Sequence, residues 1–298
     1  MKISLGPILY YWSRKTVQDF YDQVAKSPVD IVYLGEVVCS RRHEMRLDDW
    51  LDVAGKLVDA GKEVVLSTQA LLESESDLKV LRRIARNGLF GIEANDMGAV
   101  RLSAGKPFVV GMHINTYNGE TLEMLAEQGA SRWVMPVEMS RNILIELLIK
   151  KPQGMETEVF AYGRLPLAFS SRCFTARRHN LPKDDCHFKC LEHPCGMTLK
   201  TREGQSFLAL NGTQTQSASI HNLIGEIDDM RQLGVNVVRI SPQPEHTGKV
   251  ISAFKAAVDR VMNSSEAKAT LAPLLFDTPC DGYWHGRSGI EQSMEMMT

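Results

Sequence analysis

The chain has 298 residues, 44% hydrophobic and 23% charged, with 22 Gly and 12 Pro, a globular composition that excludes a disordered, collagen-like or coiled-coil protein. Lys and Arg total 34 against 36 Asp and Glu, a formal net charge of -2, so no long-range basic field recruits polyanions and nucleic-acid binding is disfavoured as a main role. The length suits either two domains of ~150 residues or one α/β barrel with an insertion.

Residues 1–7 hold one positive charge and no apolar run of signal-peptide length. The longest apolar candidate for a membrane span, residues 143–149, already contains Glu146. The expectation is a soluble, cytoplasmic protein with no transmembrane segment. In that compartment thiols stay reduced, so the 6 cysteines read as metal chemistry, redox chemistry or core filling rather than structural disulfides.

Along the chain, short β-branched runs at 2–5, 30–34, 63–67, 91–94, 108–114, 133–135, 157–162 and 236–240 read as strands. Amphipathic segments separate them. Leu47, Leu51, Ala54, Leu57 and Val58 share one helical face, as do Leu78, Leu81 and Ile84, and later Leu223, Ile224, Ile227 and Met230. Gly61, Gly88, Gly129 and Gly234 each follow a helical run, where a left-handed C-terminal residue is expected. A βα repeat demands parallel strands with crossover helices, and about eight strands is the number that closes a barrel. The fold class expected is therefore α/β, a TIM-barrel-like (β/α) barrel, with residues 1–298 as a single domain. An open doubly wound sheet is the alternative, but no G-x-G-x-x-G follows the first strand.

The repeat breaks between Arg164 and Ser219, where a cysteine-rich, basic stretch precedes polar strand-like residues such as Ser206-Phe207-Leu208-Ala209-Leu210. A connection this long is usually functional, and residues 164–219 read as an insertion after a late strand, covering the barrel mouth. After Asn263 the pattern is mixed. Asp281-Gly282-Tyr283-Trp284 reads as an aromatic turn packed back on the body, and Met294, Met296 and Met297 as a loosely packed tail.

Inside the insertion, twelve residues separate Cys173 from Cys186, three separate Cys186 from Cys190, and four separate Cys190 from Cys195. Four converging thiolates would select zinc or an iron-sulfur cluster. Cys39 follows the second strand on the face where βα loops build active sites, so it is able to meet the insertion. The residues leave two further readings open: Cys39 as a buried small hydrophobe, and a local zinc site of Cys173, Cys186, Cys190 and Cys195.

A resemblance narrows these options. Glu158-Val159-Phe160-Ala161-Tyr162-Gly163, followed ten residues later by Cys173, resembles the signature of the collagenase-like peptidase family, whose members are better known as RNA and quinone hydroxylation factors. That signature normally has another cysteine shortly after the glycine; Pro166 stands there instead, pointing to one branch. Leu34-Gly35-Glu36-Val37-Val38-Cys39-Ser40-Arg41-Arg42, Leu165-Pro166-Leu167-Ala168, Arg172-Cys173-Phe174-Thr175-Ala176-Arg177, Pro182-Lys183-Asp184 and Cys280-Asp281-Gly282-Tyr283-Trp284 are similar to the branch active in anaerobic ubiquinone biosynthesis, over nearly the whole chain. The resemblance implies a [4Fe-4S] cluster on Cys39, Cys173, Cys186 and Cys190, leaving Cys195 and Cys280 unassigned. It also implies a heterodimer with UbiU, a lipid-binding partner UbiT, and oxygen-independent hydroxylation of the ubiquinone precursor ring.

Other residues add candidates. Arg41, Arg42, Arg172, Arg177 and Arg178 lie nearest the thiols in sequence and could hydrogen-bond cluster sulfur, an anionic donor or a partner. Glu36, Gln69, Glu93, Asn95, His113, Asn115, Glu138, Arg164 and Gln243 fall at expected strand ends, where barrel mouths bind substrates. Among these, His113 is the most natural general acid or base, with Glu36 and Arg41 as further catalytic candidates. No H-E-x-x-H, G-x-S-x-G or G-x-x-x-x-G-K-[ST] motif is present, which argues against zinc protease, serine hydrolase and P-loop readings. Two other functions stay open: an RNA-modifying factor of the same family, which would need a basic groove, and a scaffold that carries the cluster only as a staple.

Overall fold

The computed structural model describes residues 1–293, so the expectation for Met294, Met296 and Met297 lies outside the described residues. In chain order the elements are β1 (Lys2–Leu5), α1 (Arg14–Val24), β2 (Ile31–Leu34), α2 (Leu47–Asp59), β3 (Glu63–Ser67), α3 (Glu75–Ala85), β4 (Gly91–Ala94), α4 (Met97–Ser103), β5 (Phe108–Val110), α5 (Gly119–Glu127), β6 (Ala130–Val134), α6 (Arg141–Lys150) and β7 (Glu156–Phe169). They continue as α7 (Phe174–Arg178), β8 (Met197–Lys200), β9 (Ser206–Asn211), β10 (Gln214–Asn222), α8 (Ile227–Gln232), β11 (Val237–Ile240), α9 (Thr247–Val258), α10 (Ser264–Leu271) and β12 (Pro279–Cys280).

Strands β1 to β7 pair in order and in parallel, and β11 closes the ring by pairing with both β7 and β1. This is a TIM-barrel-like (β/α) barrel. Helix starts follow local chemistry. Ser13, Ser74, Asp96, Asn118 and Ser140 each accept a backbone N–H from the first turn that follows them. Gly61, Gly88, Gly129 and Gly234 all have positive φ after their helices.

Alternation along the strands divides the apolar residues between two cores. Ile3, Leu5, Val32, Leu34, Val64 and Leu66 face the helices, while Ile31, Tyr33, Val65, Val109, Val134 and Val237 face the barrel axis. The axis also holds an ion cluster. Arg239 donates to Glu158 at 2.6 Å and to Glu93 at 2.7 Å, Ser4 and Tyr33 donate to Glu158, and Ser67 donates to Glu93. Both carboxylates and Arg239 are fully buried, so each charge depends on its partners.

Four expectations need correction. The fifth strand ends at Val110, and Met112–Ile114 form a 3-10 turn closed by Asn115 at φ 56. The sixth begins at Ala130 rather than at Trp133. Val58 points outward, because Trp50, Val53, Ala54 and Leu57 form the buried stripe of α2. The seventh strand does not stop at Tyr162: β7 runs on to Phe169, its second half pairing antiparallel with β10, while β8, the strand foreseen at 206–210 (β9) and β10 form a meander. Partners some fifty residues apart supply those hydrogen bonds, which no local period reveals. The aromatic turn lies where expected: Trp284 is buried, and its carbonyl accepts the Arg141 N–H at 2.9 Å. Among the described residues, no helix is long and apolar enough to cross a membrane.

Candidate metal centre

The loop after β2 begins at Gly35, with φ +137 and its Cα so close to Ser67 that a Cβ would lie 2.5 Å from the Ser67 carbonyl oxygen. From there the chain folds around Glu36, whose Oε1 accepts the N–H groups of Val38 and Cys39 at 2.9 and 3.0 Å. Burial raises the Glu36 pKa against the pull of Arg42 and these two donors. The loop thereby presents Cys39 toward the insertion.

Arg42 ties this loop to two other segments. Its guanidinium donates to the Leu9 carbonyl at 2.7 Å and to Asn211 Oδ1 at 2.8 Å, and Glu36 lies 3.5 Å away. Asn211 ends β9, and the adjacent Thr213 hydroxyl donates to the Val38 carbonyl at 2.7 Å. The same guanidinium lies near the Cys190 thiol, where its charge favours the thiolate.

Cys173 N-caps α7, its sulfur accepting the Ala176 N–H at 3.4 Å. Cys190 sits in the 3-10 turn Lys189–Glu192. Phe188, between Cys186 and Cys190, rests on the rings of Tyr11 and His43 at 6.1 and 6.4 Å. Cys186 follows the turn Lys183–Asp185, and Arg41 holds that turn through the Asp184 carbonyl at 2.5 Å. Thus Cys39 and Cys190 share Arg42, Cys173 lies close enough to raise both, and the Arg41 contact brings the turn before Cys186 to the same loop.

Burial pushes the Cys39 thiol up to about 11, Glu36 and Cys173 adding to the shift and Arg42 opposing it. Burial also raises Cys190, with Cys173 and Glu36 in the same direction and Arg42 against. Crowded thiols of this kind favour the neutral form until a cation compensates them. The buried Nε of Arg42 has no hydrogen-bond partner, so a donor suited to sulfur stands beside Cys39 and Cys190. Among the described residues no three thiols lie within 4.8 Å of one another. Four thiolates on one zinc at ~2.3 Å would be only ~3.8 Å apart, closer than any three of these thiols stand; by donor chemistry, soft thiolates suit an iron-sulfur core as well as zinc.

Cys195 and Cys280 stand apart. Arg164 donates to the Cys195 carbonyl at 2.7 Å, and Cys280 is fully buried in β12, where burial pushes its thiol up to about 12. Arg172, Arg177 and Arg178 are exposed, unlike buried Arg42. Of the expected mouth residues, Glu93 is consumed by Arg239, Asn95 donates to the Thr68 carbonyl, Gln243 accepts from the Tyr10 hydroxyl, and Arg164 lies over the Phe276 ring. Half-buried His113 packs edge-on against Phe169 at 4.8 Å, and desolvation together with Arg239 lowers its pKa to about 3. It is a neutral imidazole at physiological pH.

Two cavities open beside these groups. One of about 380 Å³ adjoins Glu36 and Arg42, with Met45, Trp50, Leu72 and Leu81 among its apolar walls and Ser67 and Gln69 at its inner end. Another, about 230 Å³, lies over the mouth beside His113, Glu138 and Phe169. The barrel axis between Glu93, Pro166 and Arg239 retains only about 20 Å³. Sequence reasoning missed the first cavity, because α2, α3 and the β2 loop contribute walls that share no motif.

The chain belongs to peptidase family U32, whose model matches residues 16–292. Among solved structures it is similar to the U32 peptidase Mk0906, at 12% identity over 82% of this chain and 93% of that one, with a TM-score of 0.46. It is also similar to a protein of the tryptophan synthase complex of Pyrococcus furiosus, at 9% identity over 91% and 97% of the two chains, TM-score 0.44. A putative dihydrodipicolinate synthetase of Pseudomonas aeruginosa gives 10% identity over 92% and 82%, TM-score 0.39.

Proposed function

We propose that this chain is a UbiV-type subunit: the [4Fe-4S]-bearing member of an oxygen-independent hydroxylase that acts on the ubiquinone precursor ring, paired with UbiU and served by the lipid-binding protein UbiT. Its ligands are Cys39, Cys173, Cys186 and Cys190, within one domain whose segment 164–219 lies over the barrel mouth. The observation that carries the reading is Cys39, from the start of the chain, sharing Arg42 with Cys190 from the middle, with Cys173 close enough to raise both thiols.

When bound, such a cluster supplies one-electron transfer. The residues of this chain do the rest. Arg42 holds its position through Leu9, Asn211 and Glu36 while donating to thiolate sulfur, which disperses the negative charge of the ligand set. The 380 Å³ cavity is large enough for an aromatic ring with part of an alkyl tail: Trp50, Leu72 and Leu81 exclude water from it, and Gln69 and Ser67 orient polar ring substituents. His113, neutral, offers a hydrogen-bonding imidazole to the cavity over the mouth, and Glu36 and Arg41 position the loop.

The experiment is anaerobic iron and sulfide analysis with single Ala replacements of all six cysteines, alongside anaerobic ubiquinone formation in cells. Replacing Cys39, Cys173, Cys186 or Cys190 is expected to abolish the brown colour and hydroxylation; replacing Cys195 or Cys280 is expected to spare both. A colourless protein with stoichiometric zinc overturns the proposal. Loss of colour with hydroxylation retained demotes the cluster to a staple, and RNA binding that weakens steeply with salt favours the RNA-modifying branch.

A further inference from the structure

The insertion carries a second group of donors that the thiol site does not use. His179 and His193 face each other with their Nε2 atoms 3.3 Å apart, and Glu192 brings a carboxylate oxygen within 4.8 Å of both. Both rings are partly buried and tilted, their centroids 5.6 Å apart. A direct hydrogen bond between two Nε2 atoms requires opposite tautomers of the two rings. A metal ion requires no such asymmetry. Imidazole nitrogens bound to zinc at ~2.0–2.1 Å in tetrahedral geometry lie ~3.3–3.4 Å apart, the separation seen here.

We infer that His179, Glu192 and His193 form a binding site for a zinc-like divalent cation, separate from the four cysteines. Two imidazoles and one carboxylate leave a fourth position for water. Exposed Glu192 pairs with half-buried Lys189 at 2.5 Å, a surface ion pair that a bound divalent cation outcompetes.

The placement in the chain gives the site a purpose. His179 is the C-cap of α7, whose N-cap is Cys173; His193 is the C-cap of the turn that contains Cys190. A cation held between the two histidines clamps those segments together and sets the spacing of two thiols before any cluster is present. The geometry stands whether or not the hydroxylase reading is right.

The test is zinc titration of the anaerobically purified, cluster-loaded chain by calorimetry, with zinc-edge X-ray absorption on the product. The expected result is one equivalent of zinc, with nitrogen and oxygen at ~2.0–2.1 Å and no sulfur at ~2.3 Å. His179→Ala and His193→Ala are each expected to weaken zinc binding at least ten-fold. No zinc uptake, uptake unaffected by either substitution, or sulfur in the zinc shell overturns the site. If the Ala variants lose helical circular dichroism, His193→Gln, close in size, carries the comparison. Should the chain load no cluster, the same titration on a chain with Cys39, Cys173, Cys186 and Cys190 replaced by Ser separates failure of this site from failure of the functional proposal.

Discussion

Two arginines illustrate how charge is spent in this molecule. Arg239 is enclosed by Glu93 and Glu158 with its guanidinium 4.0 Å from the Tyr33 ring centroid. Replacing it with Met leaves two carboxylates buried without their partner, and the expected loss is about 3–5 kcal/mol, read as a lower urea midpoint. Arg239→Lys restores only part, since a point charge lacks the fork that reaches both carboxylates. Arg41 differs: its side chain is 37% exposed, and it holds the Cys186 turn through Asp184. Arg41→Leu is expected to leave folding nearly intact but, under the proposed cluster assignment, to lower the iron content, because the turn leading to Cys186 loses its tie to the Cys39 loop. Iron analysis beside a urea melt checks this.

The element that matters most is the loop between β2 and α2. Gly35 initiates it at φ +137 against the Ser67 carbonyl, a conformation that side chains rarely adopt and a contact that no Cβ tolerates. Gly35→Ala is expected to cost about 1–3 kcal/mol in backbone strain and to displace Cys39, so thermal stability and iron content should fall together. A fall in stability with full iron content would show that the loop moves without carrying the thiol. The second long element, β7, joins barrel to insertion without a break: Glu158 and Phe160 serve the axis, while Pro166 and Phe169 line the cavities above it. One strand thus spans support and site.

Across the whole molecule, acid should act through buried imidazoles. His221 is 3% exposed, and desolvation lowers its pKa from 6.5 to about 3. The unfolded chain takes up this proton near pH 6.5 and the folded chain only near pH 3, so stability declines as pH drops through that window. His113 shifts in the same direction. Urea unfolding between pH 7 and pH 5 is expected to show a decline that His221→Gln reduces by about 1.4 kcal/mol per pH unit below 6.5. An unchanged slope in that variant would place the acid sensitivity elsewhere.

Eight parallel strands, their helices and the glycine stops were legible from periodicity, since a βα repeat in which each strand buries both faces leaves a local record in the chain. The location of Cys39 just after a strand was legible as geometry. Three features were not. The antiparallel half of β7 depends on hydrogen bonds to β10. The Glu93–Arg239–Glu158 cluster joins residues whose separations follow no motif. The His179–His193 pair faces across a segment with no period at all. Local patterns specify which face of an element turns inward, because burial acts on neighbours three or four residues apart. Which charges, rings and thiols then meet across the barrel depends on chain closure, and that is set by packing between segments far apart in the sequence.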